Sequence, residues 1–183
     1  MRRRLPTPKS LKPKELVGVP WRVALALQVD GWFLRSDIVW AKPNPRPECV
    51  KDRPVRSHEF VFLLTKRKRY HYNASAMREP ATWKSGTRPG RSVWTMGVGT
   101  VRGRAQFHPA KMPPALAARC LDAGAVPGLP VLDPFFGSGT VGEVCQARGL
   151  PFAGIELNPE YAAEARRRLR WDSSRLSDLA HVA

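Results

Sequence analysis

The 183-residue sequence has little cysteine and no long apolar run, and each shortage excludes a class of protein. Its three cysteines, Cys49, Cys120 and Cys145, are odd in number and lack the C-x-x-C spacing of a zinc site, which indicates free or buried thiols in a reducing compartment. No run of about 18 apolar residues is present, as a membrane-spanning helix would require. The basic start, MRRR, lacks the apolar stretch of a secretory signal. We therefore expect a cytoplasmic protein without membrane association or a metal site.

Acidic residues are scarce in the first part of the chain. The whole sequence has 31 Lys and Arg against 15 Asp and Glu, a formal net charge of +16. Residues 1–111 hold 24 of the basic and seven of the acidic residues, whereas residues 112–183 hold seven and eight. The length and the 43% hydrophobic content indicate one globular domain with a real core. A basic half joined to a neutral half predicts that one part contacts a polyanion, preferably nucleic acid, while the other binds a small ligand.

A strand, a glycine turn and an acid form the most informative part of the sequence. The stretch VLDPFFGSGT (residues 131–140) is a short apolar strand that ends in a Gly-Ser-Gly turn, and residues 140–148 have helical spacing. A second strand, residues 152–155, ends at Glu156, which follows Gly137 by 19 positions. Glycines let backbone N–H groups approach a ligand, and an acid at the next strand tip can accept both hydroxyls of a ribose. This unit predicts a nucleoside-cofactor site.

The glycine spacing alone leaves the identity of the cofactor open. Gly137, Gly139 and Gly142 satisfy G-x-G-x-x-G, which is typical of NAD or FAD sites. However, only 27 residues follow Glu156, too few for the rest of a dinucleotide-binding sheet in its usual order. The remaining strands would have to come from the chain before residue 131.

Five stretches, in the right order, resemble the amino-DNA methyltransferases, which methylate adenine N6 or cytosine N4. DPFFGSGT and GIELNPEY are similar to their S-adenosylmethionine motif, FHPAKMP to the segment that precedes the cofactor strand, and DIVWAKPNPRP and SHEFVFLL to their central segments. The resemblance covers roughly residues 11–169 and is to the permuted subgroup, whose cofactor motif lies near the C-terminus. It implies an α/β, Rossmann-like S-adenosylmethionine-dependent methyltransferase fold, circularly permuted, that acts on double-stranded DNA.

The same resemblance implies which residues contact the cofactor and the DNA. Asp133 would lie near the methionine amino group, Glu156 would hold the ribose, and residues 108–111 would close over the methionine end. The expected cofactor site consists of His108, Pro109, Ala110, Lys111, Asp133, Pro134, Phe135, Phe136, Gly137, Ser138, Gly139, Thr140, Glu156, Leu157 and Asn158. The expected DNA contacts are Lys42, Asn44, Arg46, Lys66, Arg67, Arg88 and Arg91.

The family's catalytic motif, Asp/Ser/Asn-Pro-Pro-aromatic, is absent from the sequence. The only Pro-Pro pair, Pro113-Pro114, lies between Met112 and Ala115 and belongs to another segment. In the permuted order the motif would precede Leu11. We therefore expect an N-terminally shortened methyltransferase with an incomplete sheet and no catalytic residue of its own, completed by a second chain or acting as a homodimer. The alternative is a catalytically inactive basic DNA-binding remnant that still binds cofactor.

Composition and hydrophobic spacing divide the chain. Residues 1–13 are expected to form a basic flexible arm, residues 14–171 a methyltransferase domain and residues 172–183 a tail. Within the domain we distinguish a catalytic-side half (14–73), a candidate DNA-recognition segment (74–106) and a cofactor-binding half (107–171). Helices are predicted at residues 15–30, starting near 19 because of Pro20, at 114–120 and at 160–170, and strands at 32–40, 57–64 and 70–73.

Two further predictions concern side chains. The arginine run at residues 166–168 is predicted to lie on the exposed face of its helix. In the DNA-recognition segment, Trp83 and Trp94 lie among arginines, so they either stack on bases or anchor a long loop to the core.

Overall fold

A computed structural model describes residues 11–83, 85–98 and 112–170. The elements follow in the order α1 (Val19–Val29), β1 (Phe33–Ala41), β2 (His58–Thr65), β3 (Glu79–Pro80), β4 (Thr87–Arg88), β5 (Val93–Thr95), α2 (Pro114–Gly124), β6 (Val131–Asp133), α3 (Thr140–Ala147), β7 (Phe152–Gly154) and α4 (Pro159–Arg168). Pro20 lies in the first turn of α1, where its missing N–H costs no helical hydrogen bond. Within this part of the chain, no helix is both long and apolar enough to cross a membrane.

Strand β1 is the centre of a three-stranded sheet in the order β2-β1-β5. β2 runs antiparallel along it, and β5 pairs parallel with its last three residues. Alternation along β2 sends Phe60 and Phe62 to the α1 side, where Trp21 meets both rings edge-on, with centroids 5.4 and 4.9 Å apart. The opposite face packs on α2, with Trp40, Trp94, Met77, Leu116 and Ala123 buried together.

A second core lies beneath a two-stranded parallel sheet, β6-β7. Cys145 of α3, Phe152 of β7 and Leu169 after α4 are its buried members, and Leu121 of α2 packs against them. Helix α2 therefore contributes to both cores and joins the β1 sheet to the β6-β7 unit. The β6-to-β7 connection through α3 is the strand–helix–strand unit expected from the sequence.

The prediction of a strand at residues 70–73 is wrong. This segment has no strand pairing, and the antiparallel partner of β2 is β1. The Asn73 N–H donates to the carbonyl of Ala123 at the end of α2, at 2.9 Å. The Asn73 side chain accepts from the Ala76 N–H at 3.1 Å and starts a turn. Tertiary hydrogen bonding to a helix end thus replaces the pairing that the Tyr-His-Tyr sequence favours.

The fold class is confirmed as α/β, and the sheet is incomplete. In the described ranges, β2-β1-β5, β3-β4 and β6-β7 are separate small sheets instead of one continuous layer. Several large apolar side chains on α1, among them Val19, Val23 and Val29, are exposed, as is Leu132 on β6. Surface of this kind normally packs against further structure. The domain boundaries drawn from the sequence remain a prediction.

Candidate cofactor-binding site

The glycine turn lies at the carboxyl edge of the β6-β7 pair. Both strands run in the same direction, with Asp133 opposite Gly154, so the segments that follow them emerge side by side. Gly137 and Gly139 have φ values of 54° and 83°, a left-handed conformation that side chains with a Cβ rarely adopt. Gly139 is the N-cap of α3, so the turn leads the chain directly into a helix N-terminus. Such an end presents free backbone N–H groups and favours negative charge.

Glu156 joins the two segments. One of its carboxylate oxygens accepts from the Gly137 N–H at 2.7 Å, and the other accepts from the Asn158 N–H at 2.8 Å. A carboxylate oxygen has two lone pairs, so one oxygen can accept from a backbone N–H and from a ligand hydroxyl together. The sequence placed this acid beside the turn, and the structure brings them into direct contact.

The Phe136 ring leaves no room for a side chain at two further positions, which are both glycine. Its ring lies between the turn and β7, and a Cβ at Gly154 would overlap it. A Cβ at Gly142 would lie 2.7 Å from both the Phe136 and Phe152 rings. Phe136 and Gly142 therefore hold α3 against β7, and they support the turn from behind.

Two large apolar side chains, one in the glycine turn and one directly after Glu156, are exposed. Phe135 is 89% exposed and Leu157 is 96% exposed. Asp133 is partly buried and accepts from the Phe135 N–H at 3.0 Å, which fixes the start of the turn. A carboxylate together with exposed apolar side chains from the same two segments fits the ribose and the ring faces of a nucleoside.

Asn158 has a structural task that was not expected. Its side-chain oxygen accepts from the Glu160 N–H at 2.9 Å and caps α4, whose first residue is Pro159. The sequence signal was present, since Asn followed by Pro is typical of a helix start. The remaining predicted contacts, His108, Pro109, Ala110 and Lys111, lie outside the described residues.

The prediction that residues 166–168 form only an exposed face is wrong for Arg168. Its guanidinium donates to the Ser138 carbonyl at 2.5 Å and to the Ser138 hydroxyl at 3.2 Å, and it forms an ion pair with Glu143. Ser138 is buried in the middle of the glycine turn. Arg168 therefore ties α4 to the turn, whereas Arg167 pairs with Glu164 on its own helix. Helical periodicity places Arg168 on one side of α4 but cannot show that the turn approaches that side.

The residues predicted to contact DNA are spread over the first part of the chain. Lys42 forms an ion pair with Glu59 and lies 4.5 Å from the centre of the Trp40 ring. The Asn44 side chain accepts from the Val98 N–H at 3.1 Å and so joins the proline loop to the residues after β5. Arg46, Lys66 and Arg67 are exposed.

Arg88 and Arg91 share one carboxylate. Their guanidinium groups lie 3.1 and 2.7 Å from Glu79. Burial opposes ionisation of Glu79, but hydrogen bonds and charge from Arg91 and Arg88 outweigh it and hold its pKa below the usual value of 4.5. Glu79 is therefore ionised at neutral pH and offsets part of the positive charge of this region.

The cysteines are free thiols, as expected. Cys49 is exposed, whereas burial raises the pKa of the Cys120 and Cys145 thiols, which keeps them protonated and unreactive. Across the described ranges, no group of His, Cys, Asp and Glu could hold a metal ion.

Comparison with known sequences gives the family. Residues 6–167 match the profile of the N6/N4 methyltransferases, described as DNA methylase. The Type II methyltransferase M.XycI of Xanthomonas campestris pv. cyanopsidis is 53% identical over 174 residues, which are 95% of this chain and 57% of that protein. M.SmaI of Serratia marcescens is 53% identical over 167 residues, which are 91% of this chain and 56% of that protein. The chain belongs to the DNA methylase family, and it spans somewhat over half the length of these relatives.

Solved structures agree on the fold. A structure described as the M1.HpyAVI-SAM complex is 26% identical with a TM-score of 0.60, covering 84% of this chain and 71% of that one. The cytosine-N4-specific PvuII DNA methyltransferase has a TM-score of 0.67 at 20% identity, covering 87% of this chain and 61% of that one. With the family established, a nicotinamide-dependent enzyme is no longer a competing reading of the glycine turn.

Proposed function

We propose that the chain is the cofactor-binding part of an S-adenosylmethionine-dependent DNA methyltransferase that modifies adenine N6 or cytosine N4. The observation that carries this proposal is the hydrogen bond from Gly137 to Glu156, which closes the glycine turn onto the acid at one sheet edge. When bound, S-adenosylmethionine supplies the methyl group. Its nucleoside part fits beside Glu156, with the ribose hydroxyls donating to the carboxylate and the adenine lying against Phe135 and Leu157.

The methionine part of the cofactor fits the turn and the start of α3. Its carboxylate would lie at the start of α3, near the positive end of the helix dipole. The negative charge of Asp133 would pair with the ammonium group of the methionine part. His108 to Lys111 would close over this end, as the resemblance to the family implies.

Duplex DNA is proposed as the second ligand. The excess of 24 Lys and Arg over seven Asp and Glu in residues 1–111 provides a sequence-independent attraction to phosphates. Arg46, Lys66 and Arg67 are exposed, and Lys66 lies 4.5 Å from the centre of the Trp32 ring. Lys42, Arg88 and Arg91 would have to exchange a carboxylate for a phosphate. The Asn44 side chain has a structural role, because it accepts a hydrogen bond from the Val98 N–H.

A complementary segment is proposed to supply the catalytic motif. An exocyclic amino nitrogen is a poor nucleophile because its lone pair is delocalised into the base, and the family overcomes this with hydrogen-bond acceptors from its Pro-Pro-aromatic motif. The motif is missing here, while Val19, Val23 and Leu132 are exposed on α1 and β6. A segment equivalent to the unmatched remainder of M.XycI, carried by a second chain, would cover these residues and complete the sheet. A homodimer is the other proposed assembly, and it would cover these residues without supplying the motif.

The first test separates cofactor binding from catalysis. Calorimetry with S-adenosylmethionine and with NAD is expected to show binding of the first alone, and the reverse result would overturn the proposal. Transfer of labelled methyl to unmethylated duplex DNA, followed by nucleoside analysis, is then measured with and without the unmatched M.XycI segment. Activity restored by that segment supports a completed methyltransferase, and the labelled nucleoside identifies adenine or cytosine. We propose that the completed enzyme acts in the cytoplasm, as part of restriction-modification.

The absence of the catalytic motif also favours one alternative, a catalytically inactive DNA-binding remnant. A remnant would bind DNA and even cofactor, so binding alone does not distinguish the two. Methyl transfer does, because the remnant stays inactive when the complementary segment is added.

A further inference from the structure

The tryptophans near the candidate DNA-recognition segment have two opposite environments. Trp40 and Trp94 are 4% and 5% exposed, and their indole N–H groups donate to the carbonyls of Met96 and Arg91. Trp83 is 94% exposed. Trp94 therefore anchors this segment to the core, and Trp83 does not.

Trp83 lies at the tip of a braced hairpin. Strands β3 and β4 pair antiparallel, and the Ala81 N–H donates to the Gly86 carbonyl at 3.1 Å across the tip. The Arg78 guanidinium crosses from one side to the other, reaching the Thr87 hydroxyl at 2.6 Å and the Thr87 carbonyl at 2.7 Å. Glu79 on β3 binds Arg88 on β4. These cross-links fix the two strands from which Trp83 projects.

The base of the hairpin is fixed to the core. Met77, just before β3, is buried with Trp40 and Trp94. Gly90, just after β4, approaches the Met77 backbone so closely that a Cβ would overlap its carbonyl. The hairpin therefore projects Trp83 from a rigid base.

We propose that Trp83 stacks on a base of the bound DNA. This proposal rests on the proposed function, because it takes DNA as the partner. Enzymes that modify a base inside a duplex extrude it, which uncovers the faces of the neighbouring bases in the stack. An indole ring can cover such a face, and stacking does not depend on the base sequence. The hairpin also carries Arg78, Arg88 and Arg91, which suits a phosphate backbone beside the ring.

The surroundings of Trp83 favour DNA over a protein partner. Its described neighbour Thr82 is exposed, Lys84 follows it in the sequence, and no other large exposed apolar side chain lies between Tyr72 and Val93. A protein-docking surface is normally a contiguous apolar patch, as on α1. A single aromatic ring among polar and basic residues is what base stacking requires.

The test compares Trp83→Ala, Trp83→Leu and Trp83→Phe with the wild-type chain by fluorescence anisotropy. The probes are one labelled 30-mer as a single strand, as an intact duplex and as a duplex with one abasic site. On the single strand and the abasic duplex, we expect Ala and Leu to weaken binding roughly 5- to 100-fold and Phe to retain most of the affinity. Leu matters because it keeps apolar surface but cannot stack.

Arg91→Ala serves as the matched control, since a phosphate contact and a stacking contact differ in salt dependence. Loss of a phosphate contact lowers the slope of log affinity against log salt by about one, whereas loss of stacking leaves that slope unchanged. The emission of Trp83 is obtained by subtracting the spectrum of Trp83→Phe from that of the wild type. Quenching of this emission when DNA binds would be a direct signature of stacking. Equal affinity of Trp83→Ala and wild type on every probe, or equal retention by Leu and Phe, overturns the stacking proposal.

Two further measurements distinguish a failure of the proposed function from a failure of the stacking proposal. Calorimetry with S-adenosylmethionine is run on each variant and should be unchanged, because Trp83 is not part of the cofactor site. A wild-type chain that binds no DNA probe overturns the DNA partner and the stacking proposal together. A wild-type chain that binds DNA with no role for Trp83 overturns the stacking proposal alone.

Discussion

The cofactor-binding part, described here over residues 112–170, and the basic part, residues 11–98, hold their functional groups in different ways. In the first, backbone N–H groups are positioned by positive-φ glycines and a single acid, Glu156. In the second, charged side chains hold one another, as Glu79 holds Arg88 and Arg91. A site made of backbone is fixed once the chain folds. A surface made of paired charges must exchange partners before it can bind a ligand.

The largest effect that would test this comparison is the loss of a glycine behind the turn. Gly142→Ala places a Cβ 2.7 Å from the Phe136 and Phe152 rings, so the free energy of unfolding should fall by about 1–3 kcal/mol and cofactor affinity should fall with it. The matched control is Gly124→Ala at the end of α2, where a Cβ meets nothing within 4 Å. Urea unfolding measures both, and equal stability of the two variants would contradict the packing role of Gly142.

The next effect concerns the acid that closes the turn. Glu156→Gln should weaken S-adenosylmethionine binding roughly 10- to 100-fold in calorimetry, because a neutral amide replaces a charged acceptor of hydrogen bonds. Glu160→Gln, on the first turn of α4, is the control and should stay close to wild type. If Glu156→Gln bound as tightly as the wild type, the ribose would have to be held elsewhere.

A smaller effect is expected from the arginine behind the turn. Arg168→Ala removes the hydrogen bonds to Ser138 and should weaken cofactor binding about 3- to 10-fold without abolishing the fold. Arg167→Ala removes the ion pair with Glu164 within α4 and should change affinity less than twofold. Calorimetry on the two variants compares neighbouring arginines of one helix, and equal losses would show that charge, not position, matters.

The smallest effect concerns pH in the basic part. Because the pKa of Glu79 is lowered in the folded chain, its ion pairs stabilise the fold above the usual value of 4.5 and lose this contribution as the pH falls through the lowered pKa. Thermal unfolding should therefore give a lower Tm for Glu79→Gln than for wild type at pH 7. The difference should disappear well below pH 4.5. A constant difference in Tm at all pH values would exclude this ion-pair contribution.

The difference between the cofactor-binding part and the basic part also decides which features could be predicted from the sequence. The strand, turn, helix and acid of the cofactor site follow from local rules, because Gly137 and Gly139 adopt conformations that other residues avoid and Glu156 follows at a fixed spacing. Alternation along β2 places Phe60 and Phe62 on one face of the predicted strand 57–64, and both contact α1. Periodicity suffices where an element has one buried side.

Predictions from local pattern failed where a distant backbone group decides the outcome. Tyr70 to Asn73 reads as a strand, but the carbonyl of Ala123 at the end of α2 takes its hydrogen bond. Arg168 reads as an exposed residue, but the Ser138 carbonyl lies beside it in space and 30 positions away in the chain. Positive charge was evident from composition, whereas its neutralisation by Glu59 and Glu79 depends on tertiary contacts.

The open side of β6 has a consequence for handling the protein. In the described residues β6 pairs with β7 alone, and Leu132 is exposed on this short strand. Unpaired strand N–H and C=O groups beside bare apolar side chains are a template for self-association. We therefore expect the isolated chain to aggregate in a concentration-dependent way, and co-expression with a segment that covers this edge to raise its soluble yield.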